Sequence, residues 1–284
     1  MPSASSRSSR TTSGNPQKDK AARPCDRLIR FKSLGSGSTG NATVVQVQGD
    51  GGLTHLLVDC GLGIRQLDKR LAEAGMLAEQ LDALFITHEH ADHIGCARQL
   101  ALRERIPVWM SEGTWLGLGQ PDFEGLLRIA CDSVPIAVRG LQVDPFTVPH
   151  DAREPLQLTC TDGAVTLGVL TDLGHATTHV IDRLSGCATL LLECNHDRAM
   201  LENGPYPWFL KKRVGGDWGH LANEEAAAIA QSILPRGLRQ VMAAHLSEQN
   251  NRPDLARAAL LDALGDAVEI HVADGPTGSG WLTA

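Results

Sequence analysis

From Leu28 onward the chain switches repeatedly between two periods of apolar residues. Leu28–Lys32 and Ala42–Val47 predict paired strands, joined by the Gly/Ser-rich segment Gly35-Ser36-Gly37-Ser38-Thr39-Gly40-Asn41. Leu56–Asp59 predicts a third strand. Ile64–Ala74 carries its apolar residues at helical spacing and runs into Gly75, a stop signal. Leu81–Thr87 is an apolar run with strand character, Ile94–Arg103 has helical spacing, and Pro107–Met110 returns to strand. In the second half, Leu141–Val148, Leu156–Cys160, Val165–Thr171 and Ala188–Cys194 predict strands. Glu224–Leu234 then predicts an Ala-rich helix, Gln240–Ala244 a strand, Pro253–Leu264 a helix and Val268–Val272 a last strand. Strands and helices in two successive groups, with no sequence repeat, predict an α/β protein of two packed sheets with helices outside.

Residues 1–24 stand outside this pattern. They are rich in Ser, Thr, Arg and Lys without apolar periodicity, which predicts a disordered basic tail ahead of one domain over residues 25–284. Residues 1–30 hold seven Lys/Arg and two Asp, net +5; the whole chain is −7, leaving −12 for the rest. Such a tail suits nucleic acid or a transit peptide, although it has no amphipathic apolar face. No apolar run approaches the ~20 residues that cross a bilayer, and the first residues lack the apolar core of a secretory signal. The seven cysteines are scattered and form no C-x-x-C. The expectation is a soluble cytoplasmic protein with reduced thiols and no membrane partner.

Six residues change the picture. His88-Glu89-His90-Ala91-Asp92-His93 places three imidazoles and a carboxylate directly after the apolar run, enough to begin two transition-metal sites side by side. It is not the zinc-helix pattern H-E-x-x-H, because Asp92 stands four places after His88. The spacing suits an irregular loop. Two metals need more donors, and the same arrangement of strand followed by donor recurs at His150, Asp172 and His245. Any one of these alone reads more readily as a surface or hydrogen-bonded residue than as a ligand; their recurrence together with the loop is what points to metal.

In this order, these residues resemble the metallo-β-lactamase fold superfamily. The resemblance narrows to the YycJ/WalJ family on Ser33–Asn41, Leu57-Val58-Asp59-Cys60-Gly61, Val148–Ala152, Leu192–Asp197, Gly219-His220-Leu221-Ala222-Asn223 and Ala244–Asn251, and spans about Arg30 to the C-terminus. It implies an αββα four-layer sandwich with the site along one edge of the two sheets. It also implies a bacterial dinuclear phosphodiesterase, a 5′-to-3′ DNA exonuclease using a metal-bridging hydroxide. Carried over, His88, His90 and His150 hold one ion, Asp92, His93 and His245 the second, and Asp172 bridges them. A replacement of Asp92 is then expected to abolish turnover. A His placed like His220 donates a proton to the leaving group in the related tRNase Z enzymes, with a capping or structural role as the alternative; Asn223 beside it is a candidate helix cap. Asp59 and Glu193 read as partners that orient metal-bound His rather than as ligands. Glu89, His55, His175, His179, His196 and His271 stay unassigned.

Candidate substrate contacts are Ser36, Ser38 and Asn41 through a phosphate-binding loop, and the basic run Lys211-Lys212-Arg213 toward backbone phosphates. A tight turn needing glycine and a solvated basic face are the respective alternatives. Zn and Mn both suit the donors, and Fe does too. An acidic body and an aromatic content of 4% argue against a polymeric nucleic-acid substrate. Two alternatives therefore stand beside the exonuclease: a hydrolase of a small phosphodiester, lactone or thioester, and a non-hydrolytic di-iron redox sensor.

Overall fold

The computed structural model describes residues 28–49 and 51–284; the tail expected over residues 1–24 lies outside them. β1 (Leu28–Gly35), β2 (Ala42–Gly49) and β3 (Gly52–Val58) form an antiparallel meander. β4 (Ala83–Phe85), β5 (Val108–Met110) and β6 (Leu127–Ile129) continue that sheet in parallel. The second sheet repeats the plan. β7 (Ile136–Val138), β8 (Leu141–Thr147), β9 (Leu156–Thr161) and β10 (Thr166–Leu170) are antiparallel. β11 (Thr189–Glu193), β12 (Gln240–Ala244) and β13 (Glu269–Val272) then add in parallel. The C-terminal β14 (Leu282–Thr283) returns to pair with β1.

α1 (Ile64–Glu73), α2 (Ala91–Ile94), α3 (Ala97–Glu104) and α4 (Glu112–Gly117) belong to the first half. α5 (Thr178–Leu184), α6 (Arg198–Asn203), α7 (Trp208–Val214), α8 (Asn223–Ile233) and α9 (Pro253–Leu264) belong to the second. Three apolar layers hold these elements together. Phe31, Val45, Phe85, Leu158, Val169 and Met242 fill the space between the sheets. Leu57, Leu67, Leu71 and Leu100 bind α1 and α3 to the outer face of the first sheet. Val180, Leu190, Ile229 and Leu260 bind α5, α8 and α9 to the second. Each such fully buried side chain contributes on the order of 1.5–3 kcal/mol. The layers read helix, sheet, sheet, helix, the αββα sandwich that the resemblance implied.

Parallel neighbours decide where chemistry can collect. β3 and β4 point the same way, as do β10, β11 and β12, so their C-terminal ends open at common edges, where ligands bind in sheets of this kind. Asp59 follows β3, Asp172 follows β10, Glu193 ends β11 and His245 follows β12. Thr87, just past β4, accepts from the Leu156 N–H of β9 at 2.9 Å and ties the two sheets at this edge.

Two local expectations are corrected. The helix expected from Ile94 to Arg103 is two helices, α2 and α3, broken at Gly95. That residue has φ +28°, and a Cβ on it would lie 2.4 Å from the Cys60 carbonyl oxygen. Asn223 does not cap α8. Ala222 occupies the cap position and its N–H donates to the Glu225 carboxylate at 2.8 Å, while Asn223 is buried against Asn251 at 3.0 Å.

Candidate metal centre

The His88–His93 segment is fixed by its backbone. The Cys60 N–H donates to the His93 carbonyl at 2.7 Å, the Asn41 N–H to the Asp92 carbonyl at 2.7 Å, and the Gly61 N–H to the Asn41 carbonyl at 2.9 Å. Gly61 packs so tightly that a Cβ there would stand 1.7 Å from the Asp92 carbonyl oxygen. The strand exit at residues 59–61 is therefore the bed on which Asp92 and His93 rest.

The side chains converge in two groups. His88 Nε2 lies 3.0 Å from His90 Nδ1, and His150 Nε2 3.4 Å from the same atom. Asp92 Oδ2 lies 3.6 Å from both His93 Nε2 and His245 Nε2. Asp172 sits between the groups, with Oδ2 at 3.0 Å from His93 Nε2 and Oδ1 at 3.8 Å from His150 Nε2. Ligands ~2.1 Å from a tetrahedral ion stand about 3.4 Å apart, so both spacings fit a divalent cation. The far side of each ring agrees. The Nδ1 atoms of His88, His93, His150 and His245 face Thr87 Oγ1, Asp59, the Gly219 carbonyl and the Thr171 carbonyl at 2.8–3.0 Å, which turns each Nε2 inward. His90 is reversed: its Nδ1 faces the group and its Nε2 lies 3.7 Å from Asp151. Asp172 Oδ2 is buried, and besides the His93 ion pair at 3.0 Å it has no hydrogen bond of good geometry among the described residues, as expected of an oxygen that meets a cation.

The electrostatics carry the same message. Burial, reinforced by the neighbouring His93, pushes His88 well below its usual pKa, and burial also lowers His150. Burial opposes the charge on His93 as well, but Asp172 and Asp59 outweigh it and hold that imidazole up to about 10. His245 is raised well above its usual value, Asp172 overcoming burial in the same way. The Asp172 carboxyl is held well below the usual carboxylate range, because His245 and His93 outweigh its burial. Positive charge is wanted at the centre, and protons on His93 and His245 supply it when no metal does.

Glu193 is fully buried at the end of β11. It accepts from the Leu173 N–H at 2.8 Å and from His220 Nδ1 at 2.7 Å, leaving His220 Nε2 for other partners. Burial lowers the pKa of His220, but the Glu193 charge and hydrogen bond more than offset it, and the net direction is upward. His220 lines a cleft of about 340 Å³ together with His90, Asp92, Asp172, His245 and Arg213.

The expected substrate contacts separate. Ser38 and Arg213 line this cleft. Ser36 and Asn41 do not: both are buried, Ser36 Oγ accepting from the His245 N–H at 2.7 Å and Asn41 Oδ1 from the Gly37 N–H at 2.8 Å. Asn41 Nδ2 also lies 3.3 Å from Asp92 Oδ2 and 3.1 Å from His93 Nε2, so it braces the second group rather than greeting a phosphate. Lys211 and Lys212 line a neighbouring hollow. Asp151 was not singled out in the sequence, yet it lies 3.5 Å from His150 Nε2 and hydrogen-bonds Arg213. Its position directly after His150 was the available signal. Among the unassigned residues, Glu89 accepts from the Arg153 N–H at 2.8 Å, outside the cluster, and His196 is buried beneath the hollow.

The sequence profile of the beta-lactamase superfamily domain matches residues 54–245, closing on the last of the clustered histidines. The chain is 32% identical to exodeoxyribonuclease YycJ of Bacillus anthracis over 261 residues, 87% of this chain and 96% of that protein. It is 30% identical to exodeoxyribonuclease WalJ of Streptococcus pneumoniae, over 84% and 89% of the two. The metallo-β-lactamase fold protein YhfI from Bacillus subtilis superposes with a TM-score of 0.71 at 18% identity, covering 90% of this chain and 100% of that one. The chain thus belongs to the beta-lactamase superfamily and, within it, to the YycJ/WalJ family.

Proposed function

We propose that this protein is a dinuclear-metal-dependent phosphodiesterase that degrades DNA from the 5′ end in the cytoplasm. The observation that carries this reading is the pair of donor groups joined at Asp172, with His220 beside them and Glu193 behind His220. In this reading His88, His90 and His150 would hold one ion and Asp92, His93 and His245 the other, with Asp172 available to both groups. Zn or Mn fits these donors, and Fe does too. Two such ions, when bound, supply water activation and neutralisation of phosphate charge.

The chain's own residues do the rest. Asp59 and Thr87 fix the ring of His93, and Thr87 meets Nδ1 of His88. Glu193 accepts from His220 Nδ1 and favours the charged imidazolium, whose second proton, on Nε2, passes to the leaving oxygen and leaves the ring neutral. Arg213 and Ser38 meet the phosphate or sugar at the cleft wall. A cleft of about 340 Å³ suits a single chain end rather than a duplex. The relatives named exodeoxyribonucleases support the polymer substrate. Among the described residues no helix is long and apolar enough to cross a membrane.

The test uses metal-stripped protein resupplied with Mn or Zn. It is given 5′- and 3′-labelled single-stranded, nicked and duplex DNA, with RNA alongside. Metal-dependent shortening from the 5′ end, lost in Asp92→Ala, is expected. Hydrolysis of bis-p-nitrophenyl phosphate without cleavage of any polymer would move the substrate to a small phosphodiester. No hydrolysis at all, with a di-iron spectrum, would leave the redox sensor.

A further inference from the structure

Four of the chain's aromatic rings are buried in the core and Trp109, Trp115 and Trp281 are partly buried against it, whereas the exposed rings lie together. Trp208, Phe209 and Trp218 are 74%, 68% and 62% exposed, and Tyr206 lines the catalytic cleft. Four of the chain's eleven Phe, Trp and Tyr residues thus fall within residues 206–218. Two of its six lysines, Lys211 and Lys212, fall there too, beside Arg213 and against the single carboxylate of Asp217. A segment of net +2 in a chain of net −7 is a local reversal of charge.

α7 sorts these residues by helical spacing. Trp208 and Lys212 are one turn apart and form one row; Phe209 and Arg213 form the adjacent row. The second row ends in the cleft, where Arg213 hydrogen-bonds Asp151. The first borders a hollow of about 600 Å³ lined by Arg198, Trp208, Lys211 and Lys212, with Glu202 the one carboxylate on its wall. α7 therefore separates the cleft, which Arg213 lines, from a second, basic depression lined by Trp208, Lys211 and Lys212, while Phe209 stands exposed and lines neither. It is also tied to the site, since the Val214 carbonyl accepts from the His220 N–H at 2.8 Å.

Ring and cation in alternation is the chemistry of single-stranded nucleic acid: bases stack on aromatic faces while phosphates meet ammonium groups. We propose that α7 and the hollow beside it are the track on which the DNA strand runs beyond the catalytic cleft. Trp208 and Phe209 take the bases, and Lys212 and Lys211 take the phosphates. This rests on the exonuclease reading and adds the surface by which that site holds a polymer.

The experiment compares wild-type protein with the double variant Trp208→Ala/Phe209→Ala and with Lys212→Gln. The substrates are a 3′-labelled thymidine oligonucleotide, which spans cleft and track, and bis-p-nitrophenyl phosphate, which fills only the cleft. The double variant should raise KM for the oligonucleotide tenfold or more and leave hydrolysis of the small diester unchanged. Lys212→Gln should lower the slope of log affinity against log salt by about 0.7–1. Unchanged KM while wild-type protein degrades DNA would overturn the track and leave the exonuclease reading intact. Equal losses on both substrates would reduce these side chains to a structural role and overturn the track. So would a wild-type dimer that the double variant turns into monomers in sedimentation, which would mark the face as one of self-association. Wild-type protein that hydrolyses the small diester and ignores DNA would remove the exonuclease reading itself, and the track with it.

Discussion

Gly61→Ala tests whether the exit of β3 positions the second group of metal donors. A Cβ at residue 61 would lie 1.7 Å from the Asp92 carbonyl oxygen, 2.3 Å from the carbonyl carbon and 2.8 Å from the Asn41 nitrogen. All three are backbone atoms, so no side chain can swing aside. Real Cβ contacts stay beyond 3.0 Å, which means the two segments must separate by at least about 1.3 Å. The bonds that join them are Cys60 N–H to His93 at 2.7 Å, Asn41 N–H to Asp92 at 2.7 Å and Gly61 N–H to Asn41 at 2.9 Å. At roughly 1 kcal/mol each, their loss costs about 2–4 kcal/mol of stability, which lowers the melting temperature by roughly 5–10 °C. The displacement matters more for activity, because a 1 Å error in positioning costs on the order of a hundredfold in rate. The assay is turnover of bis-p-nitrophenyl phosphate at saturating metal, with chelator competition for affinity and a thermal melt for stability. Gly63→Ala is the control: a Cβ there meets nothing within 4 Å, and its melt and turnover should stay close to wild type, within about 1 kcal/mol for an exposed cap position. A Gly61→Ala protein with wild-type turnover and metal affinity would refute the idea that residues 59–61 hold Asp92 and His93 in place.

Asp59→Asn should weaken metal binding by about 10–100-fold in chelator competition, because the amide no longer fixes the His93 tautomer; unchanged affinity would make Asp59 purely structural. His220→Gln should slow cleavage of an ordinary phosphodiester by about a hundredfold or more and a p-nitrophenyl ester far less, since only the poor leaving group needs the proton; equal slowing would count against proton donation. His93 and His245 are raised above the unfolded value near 6.5. Their contribution to the stability of metal-free protein is therefore full below about pH 6.5; that of His93 is lost as pH rises through about 10, and that of His245 as pH rises through its own raised pKa. Because metal displaces the same protons, affinity should climb between those limits by about tenfold per pH unit for each proton released, measured by competition over a pH series. Burial lowers His196 to about 4, so its contribution is present above pH 6.5 and is lost as pH falls toward 4. That amounts to about 3 kcal/mol, a slope that urea unfolding should find in wild-type protein and find reduced in His196→Gln.

Most strands and the long helices were legible from their apolar periodicity, and α9 begins and ends where the sequence places it, with Pro253 at its first turn; β6, β7 and β14, two or three residues each, were not. Elements of six or seven residues, α4 to α7, were not, since two turns give no period to read and their caps are single residues such as Ser111, Thr177 and Asp197. The donors were legible by their recurrence after apolar runs. What unites Asp172, Glu193 and His245 is that β10, β11 and β12 are parallel neighbours, a fact about sheet order that no local pattern carries. Facing direction was equally hidden. Ser36 and Asn41 belong to a polar, Gly-rich loop that reads as a phosphate cradle, yet their side chains are spent on the His245 N–H and on the loop itself.

Under the proposed exonuclease reading, net charge misleads for a physical reason. An acidic, ring-poor chain looks unsuited to DNA when charge and rings are averaged over 284 residues, but a strand responds to the field within about a Debye length, ~8–10 Å. On that scale two quantities differ from the average. Four carboxylates near the cleft, Asp59, Asp92, Asp172 and Glu193, are matched by imidazoles within hydrogen-bond or ion-pair distance, and divalent ions there would reverse the sign seen by a phosphate. Next to them, α7 gathers Lys211, Lys212 and Arg213 with the most exposed rings of the chain. On the proposed reading, the remaining acidic charge, dispersed over the body, would keep a strand from adhering elsewhere and confine attraction to the edge where the parallel strands end.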